Sequence, residues 1–384
     1  MESFMYAPVR VFAGGDNGDA DSLSASHCMQ SIATRALPGN RVRDSPGALT
    51  SGRVDMALLA LLLCNDAMGV SETAAGLRRL RPALQVMRDI RVGPAGWSYS
   101  DWSGYVYPTP RPKGFHEATY LAQFFDTIEI NTSFYQPLNP EHAKQWLDRV
   151  SANPRFVFTA KLWQRFTHDP SATPEDERAV RAGFDVLHEA GKLGAVLVQF
   201  PFAFHRTAET TAYLDAVLRR FADYPLAVEV RHATWNDPEV FALLREHHAA
   251  FCNIDQPIIG RSLEPSGEIT SPIGYVRLHG RRYDTWFSDD PEVPPHERYN
   301  YLYSAKELAP WADRIKSVAE QTRKTFVITN NHYLGKAVVN ALELISMLKS
   351  SKVQVPDPLR LRYPELEAIA SNPPEFPTLF PMQK

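Results

Sequence analysis

Three features of the sequence predict a (β/α)8 TIM barrel. Eight short runs rich in β-branched and aromatic residues recur at 90–95, 127–131, 156–161, 195–200, 226–231, 250–254, 274–279 and 325–330. Each is followed by a helical pattern or a long loop. Eight such units in about 260 residues match that barrel in number and size. A doubly wound open sheet is the structural alternative, but Pro94 and Ala95 stand where its Gly-rich phosphate-binding turn would begin.

The remaining elements follow in chain order. Helical patterns lie near 115–125, 139–150, 173–190, 208–222, 237–248, 304–321 and 335–350. Asn139-Pro140-Glu141, Thr173-Pro174-Glu175 and Asp237-Pro238-Glu239 each read as an N-cap, a proline at the first helical position and an acid in the first turn. After the sixth strand, Pro257, Gly260, Pro265, Gly267 and Pro272 leave the sixth helix missing or reduced. After the seventh, residues 280–303 form a long loop of the kind that serves as a lid. The barrel domain is bounded at 88–352, with an irregular tail over 353–384.

Residues 1–87 read as an N-terminal extension outside the barrel. Phe4, Tyr6 and Phe12 are its only aromatic residues, and only 54–63 and 71–86 suggest short helices. Three readings stand: a disordered extension, translated upstream sequence with Met87 as the start, or a small functional or targeting segment. The chain of 384 residues is 44% hydrophobic and 22% charged, which excludes wholesale disorder and coiled-coil or collagen-like architecture. A net charge of −3 shows no global excess for nucleic acid or an anionic membrane. Cys28, Cys64 and Cys252 form no CxxC pair and no disulfide framework, so a reducing, cytoplasmic setting is expected. The longest apolar run, 56–64, falls far short of the ~20 residues that span a bilayer.

A TIM barrel places its chemistry at the C-terminal ends of the strands. Those ends carry Trp97 and Tyr99, Glu129 and Asn131 with Tyr135 beyond, Lys161, Gln199, Glu229 and Arg231, Asp255, Arg277 and His279, and Asn330 with Asn331. Residues two apart on a strand share a face, so Glu129 with Asn131, Glu229 with Arg231, and Arg277 with His279 can enter the barrel together. Buried charges must pair or bind something. One outcome is a self-satisfied network, with Glu229 on Arg277 and Glu129 on Lys161. The other is a ligand or reaction site.

The segments Gly96-Trp97-Ser98-Tyr99 with Trp102, and Glu129-Ile130-Asn131-Thr132-Ser133-Phe134-Tyr135, are joined in order by Val228-Glu229-Val230-Arg231-His232, Val276-Arg277-Leu278-His279-Gly280 and Asn330-Asn331. In this combination the chain resembles the YecE-like family, domain of unknown function 72, over about residues 91–350. The resemblance implies a TIM barrel and members that begin just before the first strand. It implies no reaction.

Three chemistries could use these groups. The leading one is metal-free acid–base work on a small anionic, phosphate-, carboxylate- or nucleotide-like substrate. Arg231 and Arg277 would clamp the anion, Glu229 or Glu129 would act as base, and His279 or Lys161 as acid. Asn131, Trp97, Tyr99, Tyr135, Gln199, Asn330 and Asn331 would line the site. The loops after strands seven and eight, His279-Gly280-Arg281-Arg282 and Asn330 to Lys336, would offer the phosphate contacts. No cofactor is required by this reading. The second chemistry is a divalent-metal hydrolase or isomerase with Glu129, Glu229, Asp255 and His279 as ligands. The third is binding without turnover, with rings stacking a sugar, a nucleobase or single-stranded nucleic acid.

Overall fold

The β-branched and aromatic runs form strands because each buries both faces, one toward a barrel interior and one toward covering helices. The computed structural model describes residues 89–371 apart from 289 and 291. The expectations for residues 1–87, including Cys28 and Cys64, and for 372–384 lie outside the described residues. The strands are β1 (Asp89–Pro94), β2 (Thr127–Ile130), β3 (Val157–Lys161), β4 (Leu193–Gln199), β5 (Leu226–Glu229), β6 (Ala250–Asp255), β7 (Ile273–Leu278) and β8 (Lys324–Thr329). All ladders are parallel. Their hydrogen-bonded order, β1-β8-β7-β6-β5-β4-β3-β2, is a nearly closed barrel.

The seam lies between β1 and β2. There a single bridge, Ala95 to Glu129, stands in for a ladder, and the Gly96 amide donates to the Glu129 carbonyl at 2.8 Å. Gly93 makes this approach feasible, since a Cβ at that position would lie 1.9 Å from the Thr127 carbonyl oxygen.

The helices are α1 (Glu117–Leu121), α2 (Pro140–Arg149), α3 (Pro174–Glu189), α4 (Ala208–Arg220), α5 (Pro238–Glu246), α6 (Ala305–Gln321), α7 (Lys336–Lys349) and α8 (Asp357–Arg362). The three Xaa-Pro-Glu starts cap as their sequences imply. Asn139 accepts from the Glu141 amide, Asp237 from the Glu239 amide, and Thr173 forms a reciprocal capping box with Asp176. No helix stands between β6 and β7, in line with the glycines and prolines there. The first helix is shorter than its sequence pattern, ending at Leu121.

The tail departs from the irregular course expected of it. Pro356 caps α8, Pro358 sits in its first turn, and Pro364 opens a 3-10 turn over Pro364–Ala368. These prolines start turns of helix instead of preventing them. Among the described residues, no helix is long and apolar enough to cross a membrane.

Candidate functional site

Strand alternation sends Glu129 of β2, Lys161 of β3, Gln199 of β4, Glu229 of β5, and Tyr275 and Arg277 of β7 into the barrel. Their centre is Arg277, which is fully buried. Its Nη2 donates to Glu129 Oε1 at 2.7 Å, and its Nη1 donates to Glu229 Oε2 at 2.5 Å and to Gln199 Oε1 at 3.3 Å. The Tyr275 hydroxyl donates to Glu129 Oε2 at 3.0 Å. Arg231 extends the cluster toward the mouth, its Nε donating to Glu229 Oε1 at 3.0 Å. Lys161 Nζ stands 3.9 Å from Glu129 Oε1, too far for a hydrogen bond. Its side chain keeps 12% exposure, and that of Arg231 17%.

The electrostatics follow from burial and these pairings. Burial pushes the Glu229 carboxyl up, but Arg277, His279 and Arg231 overcome that and hold it well below the carboxylate range. Burial opposes charge on Arg277, yet Glu129 and Glu229 raise it well above its ordinary value. Burial, aided by Arg277, brings the Lys161 amine down to about 8. Burial takes His279 down to about 4, against the pull of Glu229.

These environments bear on two expected roles. Arginine donors occupy the Glu229 oxygens and hold its carboxyl low, which works against a base there. Burial disfavours the charged form of His279, which works against an acid there. Its Nδ1 meets Asn330 Nδ2 at 3.1 Å, and its Nε2 lies 3.3 Å from Glu229 Oε1 without hydrogen-bond alignment. Lys161 is the group whose proton affinity falls near neutrality.

Other expected site residues part company with the cluster. Trp97 packs edge-on to Trp146 of α2, at 4.9 Å, and against Phe158, outside the barrel wall. Asn331 donates to the Tyr301 carbonyl and to Asn340 Oδ1 of α7, so it ties loops to helix. Tyr135 is 69% exposed on the rim. Tyr99 stays at the mouth: its hydroxyl donates to the Ala95 carbonyl, accepts from Asn131 Nδ2 at 3.0 Å, and its ring stacks on His332 at 4.3 Å.

The four-residue metal set is not assembled. Asp255 points away from the barrel, because Cys252 and Ile254 take the inner face of β6. It accepts from Arg281 at 2.7 and 2.9 Å, from the Tyr303 hydroxyl at 2.9 Å and from Trp311 Nε1 at 2.5 Å. Among the described residues, no group of three or more His, Cys, Asp and Glu could hold a metal ion.

The expected phosphate loops are also occupied from within. Arg281 serves Asp255, Arg282 serves Asp284, Lys336 serves Asn300, and the Leu334 amide before α7 donates to Asp101 at 2.6 Å. Asp255 instead ties down both ends of the 280–303 loop, through Arg281 and Tyr303. The loop turns at Gly280, whose φ is 93°. It delivers Trp286 over the mouth, with Arg231 5.7 Å from the ring centroid and the His279 ring 5.9 Å away.

Sequence reasoning missed Tyr275 and His168. Tyr275 could have been found by the i, i+2 rule from Arg277. His168 lies beyond β3, edge-on to Phe134 at 4.9 Å, and no spacing marks it.

The comparisons with known proteins agree with the fold. The chain matches the family model described as Protein of unknown function DUF72 over residues 91–363. It is 26% identical over 272 residues to the UPF0759 protein YunF of Bacillus subtilis, covering 67% of this chain and 94% of that protein. A solved DUF72 family protein from Thermotoga maritima is 30% identical with a TM-score of 0.59, over 68% of this chain and 99% of that one. One from Enterococcus faecalis is 26% identical with a TM-score of 0.60, over 68% and 95%. The family match spans more than half of the chain and takes in every strand end that builds the buried cluster; this protein belongs to the DUF72 family.

Proposed function

We propose that the barrel mouth binds a small polar anion bearing a phosphate or carboxylate and performs acid–base chemistry on it. Arg231 is the anion contact and Lys161 the proton-transferring group. Glu129 and Glu229 hold the cations in place, and Trp286 roofs the site.

One observation carries this reading. Three cationic side chains, Lys161, Arg231 and Arg277, share the cluster with only two carboxylates, Glu129 and Glu229. Arg277 is consumed between the carboxylates, so the excess positive charge lies with the two side chains that reach the mouth. Unbalanced buried charge is costly unless a counter-ion meets it, and a guanidinium suits a carboxylate or phosphate. An amine that titrates near neutrality suits proton transfer. At the mouth, Asn131 Oδ1 and His332 Nδ1 are buried without a hydrogen-bond partner, which leaves polar atoms to meet a ligand.

A thermal-shift titration of the full chain with phosphate and small carboxylates tests the reading. A ligand at 100 times its Kd contributes about 2.7 kcal/mol, so Tm should rise by several degrees. The rise should vanish in Arg231→Gln. No rise with any anion, or a rise that survives the substitution, would sink the proposal.

A second reading rests on the exposed rings Tyr135, Tyr283 and Phe287 on the loops after β2 and β7. They could stack bases of a single-stranded nucleic acid without turnover. A steep loss of oligonucleotide affinity with salt would favour that role.

A further inference from the structure

Resting on that anion-site reading, we propose that Lys161 forms a covalent imine with the carbonyl carbon of a small carbonyl-bearing anion held against Arg231. The substrate class is then an aldehyde or ketone that also carries a carboxylate or phosphate.

The geometry separates Lys161 from an ordinary buried ion pair. It is the last residue of β3, and its backbone amide is fixed by the Ser133 hydroxyl at 3.0 Å. Its neighbouring carboxylate is already engaged, with Glu129 Oε1 bonded to Arg277 and Oε2 to Tyr275. Nζ is left 3.9 Å from Oε1 and 5.5 Å from the centre of the Phe134 ring. The stem is anchored, the amine is not committed to a hydrogen bond, and the side chain remains reachable from the mouth.

The other nucleophiles of the cluster are poorer. Cys252 is fully buried, and burial pushes its thiol well up. The Ser133 hydroxyl donates to the Ile130 carbonyl.

Burial also supplies neutral amine. With Lys161 brought down to about 8, roughly a tenth of it is unprotonated at pH 7, about 300 times the fraction of an ordinary lysine.

The step balances without an oxidant or reductant. The Nζ lone pair forms the C–N bond, while the carbonyl π pair moves to oxygen and takes a proton. The carbinolamine then expels that oxygen as water as the nitrogen lone pair closes the C=N bond. The two protons leaving nitrogen equal those carried off in the water. Solvent water at the mouth, which the Lys161 side chain reaches with 12% exposure, carries them between nitrogen and oxygen. The imine, once protonated, withdraws electrons from the adjacent carbon, and this favours proton removal or C–C cleavage there.

Trapping tests the proposal. The full-length protein is incubated with glyoxylate and sodium cyanoborohydride at pH 7, digested, and mapped by mass spectrometry. The expected result is a carboxymethyl adduct on Lys161 at more than about tenfold the occupancy of the exposed Lys306 in the same digest. It should fall when phosphate competes and disappear from position 161 in Lys161→Arg.

Adduct at Lys161 no greater than at Lys306, while glyoxylate still raises Tm through Arg231, overturns the imine and leaves the anion site standing. Adduct at Lys161 that ignores phosphate and persists in Arg231→Gln overturns the anionic substrate class. Absence of adduct together with no Tm rise from glyoxylate, phosphate or any small carboxylate overturns the two readings together.

Discussion

At the scale of single residues, Arg277 decides what the cluster is. Two fully buried carboxylates, Glu129 and Glu229, each take one of its terminal nitrogens. Removing one partner of such a group strands the others, at a cost of about 3–5 kcal/mol. Arg277→Met should therefore lower the unfolding free energy measured by urea titration by that order. A single substitution costing under about 1 kcal/mol would mean that the carboxylates are not charged in the native state. The members of this group were legible from the sequence because alternation fixes the face once one residue of a strand is known to point inward. Asp255 was not legible. Both faces of β6 are buried, so nothing in its pattern shows that Cys252 and Ile254, and not Asn253 and Asp255, face the interior.

At the scale of elements, the barrel depends on its seam and on its lid. Between β1 and β2 there is one bridge where other neighbours have a ladder, and Gly93 permits the backbones to approach. Gly93→Ala should drive the strands apart, because its Cβ would fall 1.9 Å from Thr127 O. Overpacking typically costs about 1–3 kcal/mol, and a clash with backbone belongs at the upper end. Amide exchange of Gly96, which donates to Glu129 across the seam, should speed up more than that of β7. Equal protection in parent and variant would show that the seam absorbs a methyl group. Elements were read from the sequence most securely where period, caps and breakers agreed, as in α2, α3, α5 and the helix-free stretch after β6. They were misread in the tail, where prolines that open α8 and the following 3-10 turn looked like breakers. The 280–303 lid was legible as a long loop, but its docking was not. Asp255, Tyr303 and Arg281 meet only after three separate segments have folded.

At the scale of the whole molecule, the barrel gives up stability to keep a third cation in its mouth, and pH should reveal how much. Lys161 falls from an ordinary value of 10.5 to about 8 in the folded protein. Between those values the unfolded chain binds more protons than the folded one, so stability rises with pH across the interval. Above about 10.5 both states carry a neutral amine and the cost is absent. As pH falls toward 8 the cost accumulates, and below 8 it is complete, of order 3 kcal/mol for a shift of this size. Lys161→Met removes the titrating group while retaining an apolar stem of similar length. The variant should be more stable than the parent at pH 7, and the advantage should shrink steadily as pH rises to 10.5. Urea unfolding of both proteins at pH 7, 8, 9 and 10 measures the gap directly. A gap that does not change with pH would mean that Lys161 keeps its proton in the folded state as readily as in water, and both its acid–base role and its imine chemistry would lose their source of neutral amine. A gap that closes on this schedule would mark the same residue as an unfavourable contribution to folding, retained at the one point of the barrel where excess positive charge meets the mouth.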